Sequence, residues 1–268
     1  LLHLTVPHES LFVATRHGLT HLLAAGPYDG RPVVLVHGWN ANAAGWWPQI
    51  NALASMHRLL APDTIGHAGK SAPVRLPVRG PGYGEWLLDV MDGLGLERAH
   101  FIGSSGGAWL IIKLGALAPE RIASALLLGP AGFVPVSFSL LVRLLAVGML
   151  RPGPSTPRRF LEIMSAPGHI VDERRIARHT PLILHFRSQV LPPTFRDDEL
   201  RRLIAPSYIL IGESDAAFRP AQVVDRAKRI LPNLRQAEIL PEAGHDVTFD
   251  RPDEVNRRAL SFLADVSI

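Results

Sequence analysis

Residues 100–110 read HFIGSSGGAWL: an apolar strand pattern runs into two serines framed by glycines, and an apolar helix pattern follows. Gly103, Ser105 and Gly107 fit the frame G-x-S-x-G, with Ser104 and Gly106 at the variable places. In such a frame a strand swings sharply into a helix, and the central residue is held in a strained conformation with its side chain thrust above the sheet. A β-carbon at either flanking glycine would obstruct the turn. The helix beyond aims its first N–H groups at the place where negative charge would develop. Ser105 is therefore the candidate nucleophile, and Ser104 a small neighbour. The frame by itself also describes a glycine-rich turn with a capping serine, or a phosphate-cradling loop. No Lys follows in the P-loop pattern and G-x-G-x-x-G is absent, which counts against the nucleotide version.

On either side of this turn the chain alternates. LFVAT (11–15) and THLLAAG (20–26) flank Gly18 and predict a hairpin, and RPVVLVHGW (31–39) is a continuous apolar run like a strand buried on both faces. Strand patterns recur at 57–63, 99–103, 124–129, 207–212 and 235–241, with helical patterns at 46–56, 83–96, 107–122, 220–231 and 252–263. That rhythm predicts an α/β fold, a mostly parallel sheet with helices on both faces. It breaks over residues 134–204, where helical patterns are joined by the Pro-rich stretches RPGPSTPRR (151–159) and VLPPTF (190–195). Because the alternation resumes afterwards, 134–204 reads as a helical insertion, and 1–133 with 205–268 as the core.

A serine hydroxyl needs a base, and the base an orienting carboxylate. In a sheet of this type both belong on loops at the carboxyl ends of later strands. SYILIG is followed by ESDAAF, and RQAEILP by EAGHDV, which offers Asp215 and His245 in the chain order Ser, Asp, His. Glu213 is the rival acid; Asp246 is too close to the base along the chain to orient it easily. VLVHGWN ends an early strand with His37 and Gly38, so the Trp39 N–H and the Gly106 N–H are the candidate oxyanion donors. His37 reads as a brace for that loop. His17 and His21 lack a carboxylate close by in sequence and give no metal site.

Four blocks, HGW (37–39), DTIGHAGKS (63–71), GSSGG (103–107) and GESD with GHD (212–246), together resemble the α/β-hydrolase superfamily over nearly the whole chain. The second block is similar to that family's D-x-x-G-x-G-x-S loop, lengthened by one residue at His67 and Ala68. The resemblance implies an eight-stranded sheet with a helical cap between its sixth and seventh strands. It implies little about substrate, because esterases, lactonases, carbon–carbon bond hydrolases, perhydrolases and some receptors share these marks. Relatives that open epoxides or remove halogens place Asp where Ser105 stands.

The expected activity is hydrolysis of a carboxylic ester or related acyl bond through an acyl-enzyme, with neither metal nor organic cofactor. Hydrolysis of a carbon–carbon bond next to a ketone by the same triad is the alternative, as is a ligand receptor that keeps the fold. Trp39, Phe133, Phe138, Leu141, Leu144, Leu145 and Phe160 are the candidate pocket residues, which favours an apolar, uncharged acyl group. The formal charge of +4 comes from Arg spread along the chain, and its densest group, DERRIARH (172–179), reads as a solvated helix face, so no nucleic-acid partner is expected. Segment 125–150 is apolar, but Gly129, Pro130, Gly132, Pro135 and Arg143 interrupt it, so no transmembrane span is expected. The chain lacks Cys, which excludes disulfide and thiolate chemistry. No leader is visible, which favours the cytoplasm, although the first residue is Leu1 and not Met. Oligomeric state stays open.

Overall fold

The computed structural model describes residues 3–148, 150–185 and 191–266. Strands β1 (His8–Thr15) and β2 (Gly18–Ala25) form the expected hairpin, and β3 (Arg31–Val36) follows. Then come α1 (Trp47–Leu53), β4 (His57–Pro62), α2 (Gly82–Gly93), β5 (Ala99–Ser104), α3 (Gly106–Leu117) and β6 (Ile122–Leu128). Among the described residues four α-helices intervene: α4 (Phe138–Ala146), α5 (Thr156–Met164), α6 (Glu173–His185) and α7 (Asp197–Arg201). The chain closes with β7 (Ser207–Gly212), α8 (Pro220–Ile230), β8 (Leu234–Leu240), α9 (Val247–Asp250) and α10 (Pro252–Asp265). Of the expected insertion 134–204, residues 149 and 186–190 lie outside the described residues, and with them Val190 of VLPPTF. Residues 1–2 and 267–268 of the expected core do as well.

The eight strands form one sheet in the order β1-β2-β4-β3-β5-β6-β7-β8, in which only β2 runs against the rest. The continuous apolar strands follow from burial on both faces. In β3, Val34 and Val36 enter the core under α2, α3 and α8, whereas Val33 and Leu35 enter the core under α1 and α10. Ile209 and Ile211 of β7 divide from Tyr208 and Leu210 in the same way. Trp86, Phe101 and Trp109 are fully buried in the first core, where each large side chain contributes roughly 1.5–3 kcal/mol.

The order reverses between β3 and β5: β4 lies to one side of β3, while the chain returns to lay β5 on the other. Ligands in open α/β sheets bind in the crevice that such a reversal opens beyond the strand ends. Here Val36 pairs with Gly103, so the loops carrying Gly38 and Ser105 leave the sheet side by side. The apolar stretch 125–150 is divided between β6 and the nine-residue α4. Nine helical residues rise about 14 Å, less than half a bilayer core. Among the described residues, no helix is long and apolar enough to cross a membrane.

Candidate active site

Ser105 caps α3 with φ 50° and ψ −112°, a region that non-glycine residues rarely occupy. Its backbone is pinned from both sides. The Ser105 N–H donates to the Leu128 carbonyl (2.8 Å), and its own carbonyl accepts from Trp109 and Ala131 (3.2 Å each). The flanking glycines permit this closeness. A β-carbon on Gly103 would lie 2.7 Å from the Ala108 backbone nitrogen, and one on Gly107 only 1.9 Å from the Val36 carbonyl oxygen. Such contacts cannot be accommodated without moving α3 off the sheet.

Ser105 Oγ stands 2.9 Å from His245 Nε2, and His245 Nδ1 stands 2.9 Å from Asp215 Oδ2. The buried carboxylate fixes the proton on Nδ1, which leaves Nε2 to accept from the serine hydroxyl. Asp215 is fixed in turn, since its Oδ1 accepts from the Ala217 and Phe218 N–H groups (2.7 and 2.9 Å). Glu213 is exposed and makes no contact with the imidazole. Burial alone would lower the His245 pKa. The negative charge and hydrogen bond of Asp215, aided by the charges of Asp246 and Asp250, outweigh it and raise the pKa above the ordinary imidazole value.

The loop after β3 is braced from beneath. His37 donates from Nδ1 to the Gly38 carbonyl (2.9 Å) and accepts the Thr64 N–H at Nε2 (2.9 Å). Both nitrogens are occupied, and burial lowers the pKa, so the ring stays neutral. A β-carbon on Gly38 would sit 3.3 Å from Ser105 Cβ, which sets the Trp39 backbone beside the serine. The Trp39 ring lies flush on Gly106, whose β-carbon would fall 1.8 Å from it. Gly106 opens α3, so its N–H has no acceptor within the helix.

The DTIGHAGKS block earns its place through Asp63, a buried carboxylate that gathers three segments. It accepts the Ala43 N–H (2.8 Å), the Lys70 N–H (2.9 Å) and His21 Nδ1–H (2.8 Å). His21, read as part of a strand turn, meets this acid from the neighbouring strand β2, where its carbonyl also accepts the Asp63 N–H (2.8 Å).

The cavity above Ser105 encloses about 150 Å³. In an apolar cavity that space holds a benzene-sized ring. Of the candidate pocket residues, Trp39, Leu144 and Phe160 line it. Phe133 instead fills the core, and Phe138, Leu141 and Leu145 face solvent. The error is one of helical phase. On α4 the face that meets the cavity carries Leu140 and Leu144, four residues apart, and the apolar residues between them point away. Val136, Met164, Leu191, Pro192 and Phe218 complete that apolar wall, a group that sequence reasoning missed because the lining comes from several segments.

The DERRIARH reading also needs correcting. Glu173 and Arg174 are exposed, but Arg175 and His179 are buried and Arg178 lines the cavity. Arg175 pairs with Asp246 and donates to Ser165 Oγ (3.1 Å), tying α6 to the turn that carries His245. The spacing 175, 178, 179, 182 marks one helical face and was the available signal, since Leu182 continues it inward.

Comparisons with known proteins place the chain in a family. A family model described as the alpha/beta hydrolase family matches residues 33–258. The chain is 33% identical over 267 residues to the carboxylesterase YbfK of Bacillus subtilis (strain 168), covering 96% of this chain and 88% of that protein. The crystal structure of naproxen esterase from Bacillus subtilis matches with a TM-score of 0.88 at 30% identity, covering 98% of this chain and 94% of that one. The 2-hydroxy-6-oxo-6-phenylhexa-2,4-dienoate hydrolase of Burkholderia cepacia is 27% identical, with 91% of each chain covered.

Proposed function

The chain belongs to the alpha/beta hydrolase family, and we propose that it is a carboxylesterase in which Ser105, His245 and Asp215 form the catalytic triad. The observation that carries this reading is the unbroken relay from Asp215 Oδ2 through His245 to Ser105 Oγ, 2.9 Å at each link. Similarity to carboxylesterases over nearly the whole chain supports the choice of an ester as substrate.

In the first half-reaction His245 Nε2 takes the Ser105 proton as Oγ attacks the ester carbonyl carbon. Charge on the carbonyl oxygen is met by the Trp39 and Gly106 N–H groups, donors already fixed before the reaction begins. The imidazolium is steadied by Asp215 and returns its proton to the leaving alkoxide. Water, deprotonated by the same nitrogen, then frees the acid from the acyl-enzyme. Residues 134–204 act as a cap, whose helices α4, α5 and α6 supply the wall opposite the serine.

Labelling with a fluorophosphonate tests this directly. One phosphonyl adduct on Ser105, absent from Ser105→Ala, is expected together with turnover of small aryl esters. An adduct that maps to Ser104, or binding of esters without release of product, would overturn it.

A further inference from the structure

The wall of the cavity contributed by α6 is unlike the rest. Arg178 lines it with His179, as do Asn40, Ala41, Gly45 and Phe249. The guanidinium lies against Gly45, where a β-carbon would fall 2.7 Å from Nη1. Among the described residues its buried Nε and Nη1 have no hydrogen-bond partner, and Nη2 reaches His179 Nδ1 at 3.4 Å. Leaving a buried donor unpaired is costly, and a buried cation more so. Burial lowers the Arg178 pKa to about 10, yet the group still carries its charge at neutral pH.

The neighbouring charges do not absorb this cation. Among the described residues, no carboxylate oxygen lies within 4.0 Å of Arg178. Asp246, the acid whose field reaches it, is paired with Arg175. Asp250 spends Oδ2 on the Gly244 and Ala166 N–H groups (2.7 and 2.8 Å), and Arg175 and His169 stand beside its Oδ1. Phe249 meets both guanidinium groups, Arg175 at 4.5 Å and Arg178 at 5.2 Å from its ring centroid. A cation–π contact uses the face of a guanidinium and leaves its edge donors unspent.

We propose that Arg178 is the anchor of an anion subsite in this cavity, and that the substrates are esters carrying a carboxylate beyond the scissile bond. The proposal rests on the ester-hydrolase reading of the same cavity. One uncompensated guanidinium fits a monoanion, and its fork matches the two oxygens of a carboxylate. The apolar wall of Leu140, Leu144 and Phe160 then takes the hydrocarbon part, which replaces the expectation of a wholly uncharged substrate.

The test compares kcat/KM for p-nitrophenyl esters matched in length, the glutarate half-ester against the pentanoate, and 4-acetoxybenzoate against phenyl acetate, where the charge sits on the alcohol. In the wild-type enzyme at least one charged ester is favoured over its neutral partner. In Arg178→Met that charged-to-neutral ratio falls by roughly tenfold to a hundredfold, the range of one charge-assisted pair. Arg178→Lys restores part of it, and exposed Arg174→Met leaves it unchanged. A ratio that stays within about threefold in Arg178→Met, or a wild-type preference for both neutral esters, overturns the subsite while leaving the esterase intact. Should Arg178→Met fail to fold, the wild-type ratios and those of Arg178→Lys decide alone. Calorimetry of glutarate and of 4-hydroxybenzoate against Ser105→Ala separates the two readings. Binding of either acid that Arg178→Lys weakens, in an enzyme that hydrolyses none of the esters, sinks the esterase and keeps the anion subsite.

Discussion

Two walls enclose the cavity, and they are held in place by different physics. On the sheet side, Ser105, Asp215 and His245 stand on loops leaving β5, β7 and β8; Ser105 is fixed through its own backbone, Asp215 by two backbone N–H groups, and His245 by the Asp215 carboxylate. On the other side, α4 and α6 present whichever side chains their helical phase turns inward. The first wall tolerates almost no displacement, since a methyl group at Gly107 already collides with β3. The second wall is built from side chains of α4, α5 and α6. On the proposed function, chemistry would sit on the rigid wall and substrate choice on the other, which repacking of side chains makes adaptable.

If that division is right, the largest effects come from the rigid wall. Ser105→Ala is expected to lower kcat by on the order of a millionfold, whereas Ser104→Ala stays within about tenfold. Steady-state kinetics on an aryl ester checks this. Equal losses in the two variants would show that the cavity, not the relay, carries the rate. Asp215→Asn should cost roughly ten-thousandfold, because an amide no longer holds the Nδ1 proton in place. Glu213→Gln, on an exposed side chain, should leave the rate nearly unchanged; the reverse ranking would move the acid by two residues.

The same division explains what could be read from the chain. The turn at Ser105, the meeting of Asp215 and His245 with it, and the HGW loop were legible because backbone constraints leave local marks: glycines at fixed offsets, and polar residues directly after apolar strands. The α/β architecture was legible for a similar reason, since strands buried on both faces have to be continuous in apolar residues. The helical wall leaves no such mark. Phe138, Leu141 and Leu145 are as apolar as Leu140 and Leu144, and only the docking of α4 decides which pair faces inward. Arg175 and Arg178 look like surface charges until the ion pair to Asp246 and the Gly45 contact turn them in. Asp63 was visible as part of a motif, but two of its three partners, Ala43 and His21, come from other segments of the chain.

The adaptable wall should give smaller, selective effects. Leu144→Ala and Leu140→Ala enlarge the cavity beside the acyl chain and remove contacts that a longer chain would use. The ratio of kcat/KM for a hexanoate over an acetate ester should shift by about tenfold, the worth of one or two methylene contacts. Leu145→Ala, on the solvent side of the same helix, should leave that ratio alone. A chain-length shift in Leu145→Ala as large as that in Leu144→Ala would mean that α4 turns a different face to the substrate.

The smallest effect joins the two walls, because the charge next to the base is held by a residue of α6. His245 must be neutral to accept the serine proton, so kcat/KM rises with pH as the imidazolium deprotonates. Burial favours the neutral ring, but the carboxylates of Asp215, Asp246 and Asp250 favour the cation and prevail. The raised pKa means that the acid limb lies at higher pH than an ordinary imidazole of pKa about 6.5 would give. Asp246→Asn removes one of these charges and also leaves the Arg175 cation with Asp250, at 3.9 Å, in place of its closer partner. Both changes disfavour the imidazolium, so the midpoint of the limb should move down in pH, toward the ordinary value. Glu242→Gln, an exposed carboxylate paired with Arg251, should not move it. The pH profile of kcat/KM for the three proteins reads this without any need for the natural substrate. A wild-type midpoint below the ordinary imidazole value would mean that burial under the α6 wall outweighs the carboxylates, and that the adaptable wall sets the proton chemistry as well as the substrate.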